Sequence, residues 1–119
     1  MKTYNYEQFT IKTLLERLND LKRSKGGEFE IETITDPASY RGVYSSLAFC
    51  YYSPSKTTVD DTIKLVESCI GKTFEGYKGG DYVCGLSTLL HIASWGCCGP
   101  RFVGITNDGE IEASNDRFC

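Results

Sequence analysis

What the sequence has little of narrows it first. It holds one histidine, His91, and its six cysteines (Cys50, Cys69, Cys84, Cys97, Cys98 and Cys119) include no Cys-x-x-Cys pair. Structural zinc sites draw on paired ligands at tight spacing, so neither a metal centre nor a cofactor is expected. The opening stretch Met1-Lys-Thr-Tyr-Asn-Tyr-Glu lacks the apolar core of a secretory signal, and no apolar run approaches membrane-spanning length. The expectation is therefore a soluble, cytoplasmic chain with no membrane partner. In a reducing compartment a disulfide framework is not expected, and most cysteines read as small buried hydrophobes. Cys97-Cys98 and Cys119 are the ones expected to be exposed and oxidisable. A concentrated run of positive charge is also lacking: the net charge is −3, and the 13 lysines and arginines are dispersed, among them Lys22-Arg23, Lys25, Lys72, Lys78 and Arg101. Polynucleotides are held by basic stripes that release counterions, so a nucleic-acid polymer is not the expected partner. A single small phosphorylated ligand needs only one or two cations, and those are present.

Internal repeats, low-complexity linkers and domain boundaries are absent as well, so the 119 residues read as one domain spanning 1–119. A hydrophobic share of 40% with 24% charged residues belongs to a folded chain. The apolar residues Ile11, Leu14, Leu15, Leu18 and Leu21 recur at three- and four-residue steps and predict a helix over about Tyr6–Arg23. Asn5 is its expected N-cap, with Gln8 three residues on, and Gly26-Gly27 its stop. Glu28–Thr35 alternates charged with apolar or β-branched residues, which predicts a half-buried strand with its glutamates in water, broken at Asp36-Pro37. Tyr40–Tyr52 reads as a second strand ended by Ser53-Pro54-Ser55. A second helix is predicted over Val59–Ile70, opened by Thr58 and stopped by Gly71. Asp81–Cys84, Leu89–Trp95, Arg101–Thr106 and Glu110–Ala113 read as β, the last two joined by a turn at Asn107-Asp108-Gly109. The order α-β-β-α-β-β-β-β predicts an α+β fold, a mostly antiparallel sheet with two helices packed on one face.

Three segments carry candidate chemistry. Gly71-Lys72-Thr73 is not a phosphate-binding P-loop, because Val66 stands where the motif needs glycine and the tripeptide leaves a helix rather than entering one. Just beyond it, Phe74-Glu75-Gly76-Tyr77-Lys78-Gly79-Gly80-Asp81-Tyr82 combines glycines, whose amides can form an anion-holding nest, with tyrosine faces and a cation. The same residues also suit a glycine-rich hairpin with ordinary core aromatics. Ser39-Tyr40-Arg41-Gly42-Val43-Tyr44 places an arginine between tyrosines, fit either to clamp phosphate or to make a strand-edge salt bridge. Trp95-Gly96-Cys97-Cys98-Gly99-Pro100-Arg101 sets the only tryptophan and a cation on either side of a turn, which suits an aromatic wall or a core cap. For catalysis there is little. His91 lies mid-strand between Leu90 and Ile92 with no serine or cysteine elbow nearby, and reads as a structural histidine.

Taken together, Tyr40-Arg41-Gly42-x-Tyr44, the phrase Gly71-Lys-Thr-Phe-x-Gly-Tyr-Lys-Gly-Gly-Asp-Tyr82 and Trp95-Gly96 with Gly99 before a closing hairpin resemble a family of small bacteriophage proteins, the Thoeris anti-defence sponges of the first type. The resemblance runs from about Ser39 to Ile111, with Gly-Tyr-Lys-Gly-Gly as its specific part. It implies a non-catalytic binder working in the cytoplasm of an infected bacterium. Such a protein sequesters the glycocyclic type of ADP-ribose made by TIR-domain enzymes; some relatives also hold cyclic oligonucleotides. It further implies a homo-oligomer with ligand sites at subunit interfaces. By residue type, Tyr77, Tyr82 or Trp95 would face adenine. Arg41, Lys78, Arg101 and the Gly79-Gly80 amides would meet the pyrophosphate, and Asp81 the ribose hydroxyls, with Tyr40 and Phe74 completing the site. Two alternatives stay open: an inhibitor that docks on a host protein, and a small hydrolase using His91 with a cysteine or carboxylate.

Overall fold

Apolar side chains at helical spacing and two Thr-initiated caps account for both helices. In the computed structural model, which describes residues 2–3, 8–40, 46–75, 80–93 and 99–114, helix α1 runs Ile11–Lys25 and buries Ile11, Leu14, Leu18 and Leu21. Its N-cap is Thr10, five residues after the expected Asn5. The Thr10 hydroxyl accepts from the Thr13 amide, and the Thr13 hydroxyl accepts from the Thr10 amide at 2.7 Å, so a reciprocal box closes the first turn. Gln8 is thereby freed from capping and donates to the Leu90 carbonyl at 2.7 Å. Replacing Thr10 by alanine removes one half of that box and should cost about 1 kcal/mol in urea unfolding. At the far end Gly26 takes φ of 90°, and its amide closes on the Lys22 carbonyl. Helix α2, Val59–Cys69, is capped by Thr58 as the sequence predicts, with Gly71 at φ 82° just beyond.

The strands are β1 (Lys2–Thr3), β2 (Glu30–Ser39), β3 (Leu47–Thr58), β4 (Thr73–Glu75), β5 (Asp81–Val83), β6 (Leu90–Ile92), β7 (Phe102–Ile105) and β8 (Ile111–Ala113). They form three ladders, β2-β3-β6, β1-β8-β7 and the β4-β5 hairpin. Antiparallel pairs prevail; β3 with β6 and β1 with β8 are parallel. A single bridge between His91 and Arg101 joins β6 to the entry of β7, so the two larger ladders meet there. Parallel pairing of β3 with β6 requires a long crossover, and that crossover carries α2 and the β4-β5 hairpin. The class is α+β, as expected.

Both predicted strand breaks are instead irregularities within longer strands. Asp36-Pro37 sits opposite Phe49 alone, because Thr35 pairs with Cys50 and Ala38 with Ala48. This is a bulge, where proline's missing amide costs no ladder bond. Asp36 takes φ of 50°, and its carboxylate accepts from the Tyr52 hydroxyl at 3.0 Å. Likewise the register passes from Lys56 to Tyr52 across Ser53, Pro54 and Ser55, and β3 continues to Thr58.

One contiguous core draws Leu14, Leu18 and Leu21 from α1, Val59 and Val66 from α2, Ile31 and Ile34 from β2, Phe49 from β3, Phe102 from β7 and Ile111 from β8. Fully burying such side chains contributes roughly 1.5–3 kcal/mol each. Arg17 ties α1 to the last hairpin, its Nε donating to the Ile105 carbonyl at 2.8 Å and its guanidinium to the Asn107 side chain at 2.9 Å. Glu32 departs from the expected alternation. Instead of facing water it is 8% exposed; its carboxylate accepts from the Ile111 amide at 2.7 Å and the Tyr51 hydroxyl at 2.6 Å. Cys50, Cys69 and Cys84 are buried. Burial pushes the Cys69 and Cys84 thiols up, which keeps them protonated and unreactive. Among the described residues no helix is long and apolar enough to cross a membrane.

Candidate functional site

Each of the three candidate segments has a stem held by backbone pairing. For the segment 41–45, the Tyr40 amide donates to the Ser46 carbonyl at 2.8 Å. For 76–79, Glu75 and Asp81 face one another across the β4-β5 hairpin. For 94–98, the Ile92 amide donates to the Pro100 carbonyl at 3.0 Å. Residues 41–45, 76–79 and 94–98 themselves, and with them the expected contacts Arg41, Tyr77, Lys78, Gly79 and Trp95, lie outside the described residues, as do Cys97, Cys98 and Cys119.

Side chains bring the three stems together. The Tyr82 hydroxyl lies 2.9 Å from the Ser46 carbonyl and 3.2 Å from the Ser39 hydroxyl, which binds β5 to the 41–45 stem. Ser39 in turn donates to the Glu75 carbonyl. The Tyr40 hydroxyl donates to the Gly99 carbonyl at 2.8 Å and accepts from the Gly99 amide at 3.1 Å, which binds the 41–45 stem to the 94–98 stem. Gly99 is required at that point: a Cβ there would run into the Ile92 carbonyl oxygen and Ala93.

Under this junction lies an aromatic pair. Tyr40 is fully buried and its ring stacks on the His91 imidazole, centroids 3.6 Å apart and planes within 5°. Tyr40, Ala48 and Ala93 make a small apolar cluster of their own. The Gln8 amide stands 3.4 Å from the ring nitrogens, and it also lines a hollow of about 220 Å³ with Phe9, Thr10 and Thr13. His91 is 2% exposed, and its pKa is lowered to about 4, first by burial and then by the Arg101 charge. The ring is therefore neutral at pH 7. Arg101 itself is half-buried, its amide donating to the Ser114 hydroxyl at 3.0 Å.

The other predicted site residues fall into two groups. Phe74 and Tyr82 pack together, centroids 6.0 Å apart, with Phe74 against the main core, so both brace the hairpin that ends in the glycine run. Gly80 and Asp81 are exposed. Tyr40 also supports, since neither its ring nor its hydroxyl reaches solvent. Two residues absent from the sequence-predicted site belong to its foundation: Ser39 and Ser46. Serine at a strand end carries no periodic signal, and only the tertiary contacts reveal them. Histidine-91 falls where it was expected, inside β6. Set against known proteins, the chain matches no family model, no curated protein and no solved structure.

Proposed function

We propose that this chain is a non-catalytic sponge for a small cyclic nucleotide signal, a glycocyclic ADP-ribose, and that it acts in the cytoplasm of a phage-infected bacterium. The observation that carries the reading is the junction itself. The stems of the three segments with nucleotide-fitting chemistry are tied through Ser39, Tyr40, Tyr82 and Gly99. A cyclic dinucleotide-like ligand needs cations and amides for its pyrophosphate, an aromatic face for its base and an acceptor for ribose. The tied segments supply Arg41, Lys78 and Arg101, the Gly79-Gly80 amides, Tyr77 or Trp95, and Asp81. The resemblance of these motifs to the anti-defence sponges names the ligand class and adds a homo-oligomer, with cyclic oligonucleotides as a further ligand.

His91 supports a reading without turnover. General bases work best with a pKa near the operating pH, and an imidazole held at about 4 is a weak base at neutrality. The test is retention. The protein is incubated with glycocyclic ADP-ribose made by a TIR-domain enzyme, separated by filtration and heated. Intact ligand released on heating is the expected result; an altered product would make the chain an enzyme, and an undepleted filtrate would end the proposal. Arg41→Ala and Lys78→Ala should each weaken retention about tenfold, the loss of one charge-assisted hydrogen bond, with unfolding midpoints unchanged.

A second reading, an inhibitor that docks on a host protein, draws on Val83, Leu86 and Leu89, which are 63%, 52% and 41% exposed along the run from β5 to β6. An undepleted filtrate together with a specific host protein captured by wild type and lost in Leu86→Asp would favour it.

A further inference from the structure

The geometry points to the outer edge of β5 as a docking edge for an extended segment of a partner protein, an inference that rests on the docking reading of the same patch. The segment it fits carries a basic residue two positions from an aliphatic one. Ladder bonds define the edge. The Cys84 amide donates to the Lys72 carbonyl at 2.8 Å, just past the β4-β5 pairs Thr73–Val83, Phe74–Tyr82 and Glu75–Asp81. Bonded and non-bonded pairs alternate along an antiparallel ladder, so Phe74 and Tyr82 are the pair that exchanges bonds inside the hairpin. The amides and carbonyls of Asp81 and Val83 therefore turn outward, and among the described residues nothing pairs with them. On the β4 side the same alternation sends the Glu75 carbonyl outward, where the Ser39 hydroxyl meets it.

The side chains along this edge say what fits it. Val83 is exposed on β5, and Leu86 and Leu89 continue the exposed apolar run beyond it. Residues alternate sides along a strand, so Asp81 and Val83 share the hairpin face that Tyr82 does not, with Glu75 and Thr73 across from them. Glu75 and Asp81 are thus two exposed carboxylates directly opposite one another, which is destabilising. Neither has an ion-pair partner among the described residues. A strand added beside β5 takes main-chain bonds from Asp81 and Val83 and sets every second side chain on this face. An aliphatic residue then lies beside Val83, and a lysine or arginine two positions away lies beside Asp81. A second copy of the chain fits less well, because it brings a net charge of −3 and the same acidic hairpin to the contact.

Residue-resolved hydrogen exchange and peptide binding test this on the intact chain. In the free protein the Asp81 and Val83 amides should exchange near the chemical rate, and the Phe74 and Tyr82 amides about tenfold more slowly, roughly the effect of one net hydrogen bond. Two short capped peptides of alternating threonine are then compared. One carries a central valine with lysine two positions to either side, so that it can dock in either chain direction; in the other, glutamate replaces lysine. The lysine peptide should protect the Asp81 and Val83 amides and bind about tenfold tighter, the swing from an unfavourable to a favourable charge pair on neighbouring strands. Asp81→Lys should reverse that preference, and a preference it leaves unchanged would place recognition elsewhere. Slow exchange of Asp81 and Val83 in the free monomer overturns the proposal, as do peptides that bind alike or leave those amides unprotected. Protection that grows with protein concentration alone, together with a dimer in sedimentation, makes a second copy the occupant and overturns it too. A host protein captured through Leu86 while both peptides fail would remove the edge and keep the docking reading.

Discussion

Glu32→Ala is expected to destabilise the protein by about 3 kcal/mol, because a buried amide left without its acceptor costs about 1–3 kcal/mol and the lost bond from the half-buried Tyr51 hydroxyl about 1 kcal/mol more. The carboxylate joins three strands. It belongs to β2, accepts from the Tyr51 hydroxyl on β3 and accepts from the Ile111 amide on β8. The backbone runs the same way, with the Glu32 amide donating to the Gly109 carbonyl at 2.8 Å. Ile111 is fully buried, so water does not replace the lost acceptor. Small domains have only about 5–15 kcal/mol in hand, and this loss is a large share of it. Glu32→Gln preserves the shape and one acceptor, and should cost less than half as much. Urea unfolding at pH 7 measures both. A cost below about 1 kcal/mol for alanine, the level of an exposed substitution, would mean that the seam between β2 and β8 is held by something other than Glu32.

The same residue shows where sequence reading stops. Alternation along Glu28–Thr35 marks a strand correctly, and it places Glu32 on the solvent side with Glu28 and Glu30. What covers that side is the turn between β7 and β8, whose residues lie nearly eighty positions further on. No local pattern carries that information. The helices were more legible because their signals are local: the apolar stripe of α1 and the Thr58 cap of α2 stand as predicted. At α1 the cap falls on Thr10 with its Thr13 box, five residues after Asn5, and Gln8, expected to complete the Asn5 cap, bonds Leu90 instead. Proline was overread. Pro37 and Pro54 do interrupt the ladder, yet a bulge absorbs each interruption and β2 and β3 run on.

For the candidate site, residue types were legible and roles were not. Tyr40, Phe74 and Tyr82 were expected to touch a ligand on the strength of their aromatic faces. Tyr40 is buried and bonded to Gly99, while Phe74 and Tyr82 are half-buried and stack on one another, with Tyr82 bonded to Ser46. Aromatic residues suit both tasks equally, so composition could not divide them. The glycine run illustrates the same point: a structural hairpin and a binding loop were posed as alternatives, and here β4 and β5 build the hairpin whose tip is the proposed loop. Ser39 and Ser46 became visible only through the bonds that meet on them.

Acid should weaken this protein through His91, and by a predictable amount. The unfolded imidazole takes up its proton near pH 6.5, while in the fold burial and then the Arg101 charge hold it off until about 4. Between those values the unfolded state binds more protons than the folded one, so stability falls as pH falls. The contribution is fully present above about pH 6.5, declines through the window and levels off below about 4. A displacement of this size corresponds to about 3 kcal/mol, at 1.36 kcal/mol per pKa unit. Carboxylates also titrate near the lower end, so the comparison must be with a variant that lacks only the imidazole. Urea unfolding of wild type and His91→Gln from pH 7 to 4 should show wild type losing about 3 kcal/mol more than the variant across that range. The loss should also be felt locally, because a protonated ring against Tyr40 sets a second cation near Arg101. Exchange of the Ile92 and Ala93 amides, bonded to Pro100 and Phe49, should then quicken, relative to the chemical rate at each pH, before global unfolding begins. Parallel stability curves for the two proteins would place the acid sensitivity elsewhere and leave His91 as a packing residue alone.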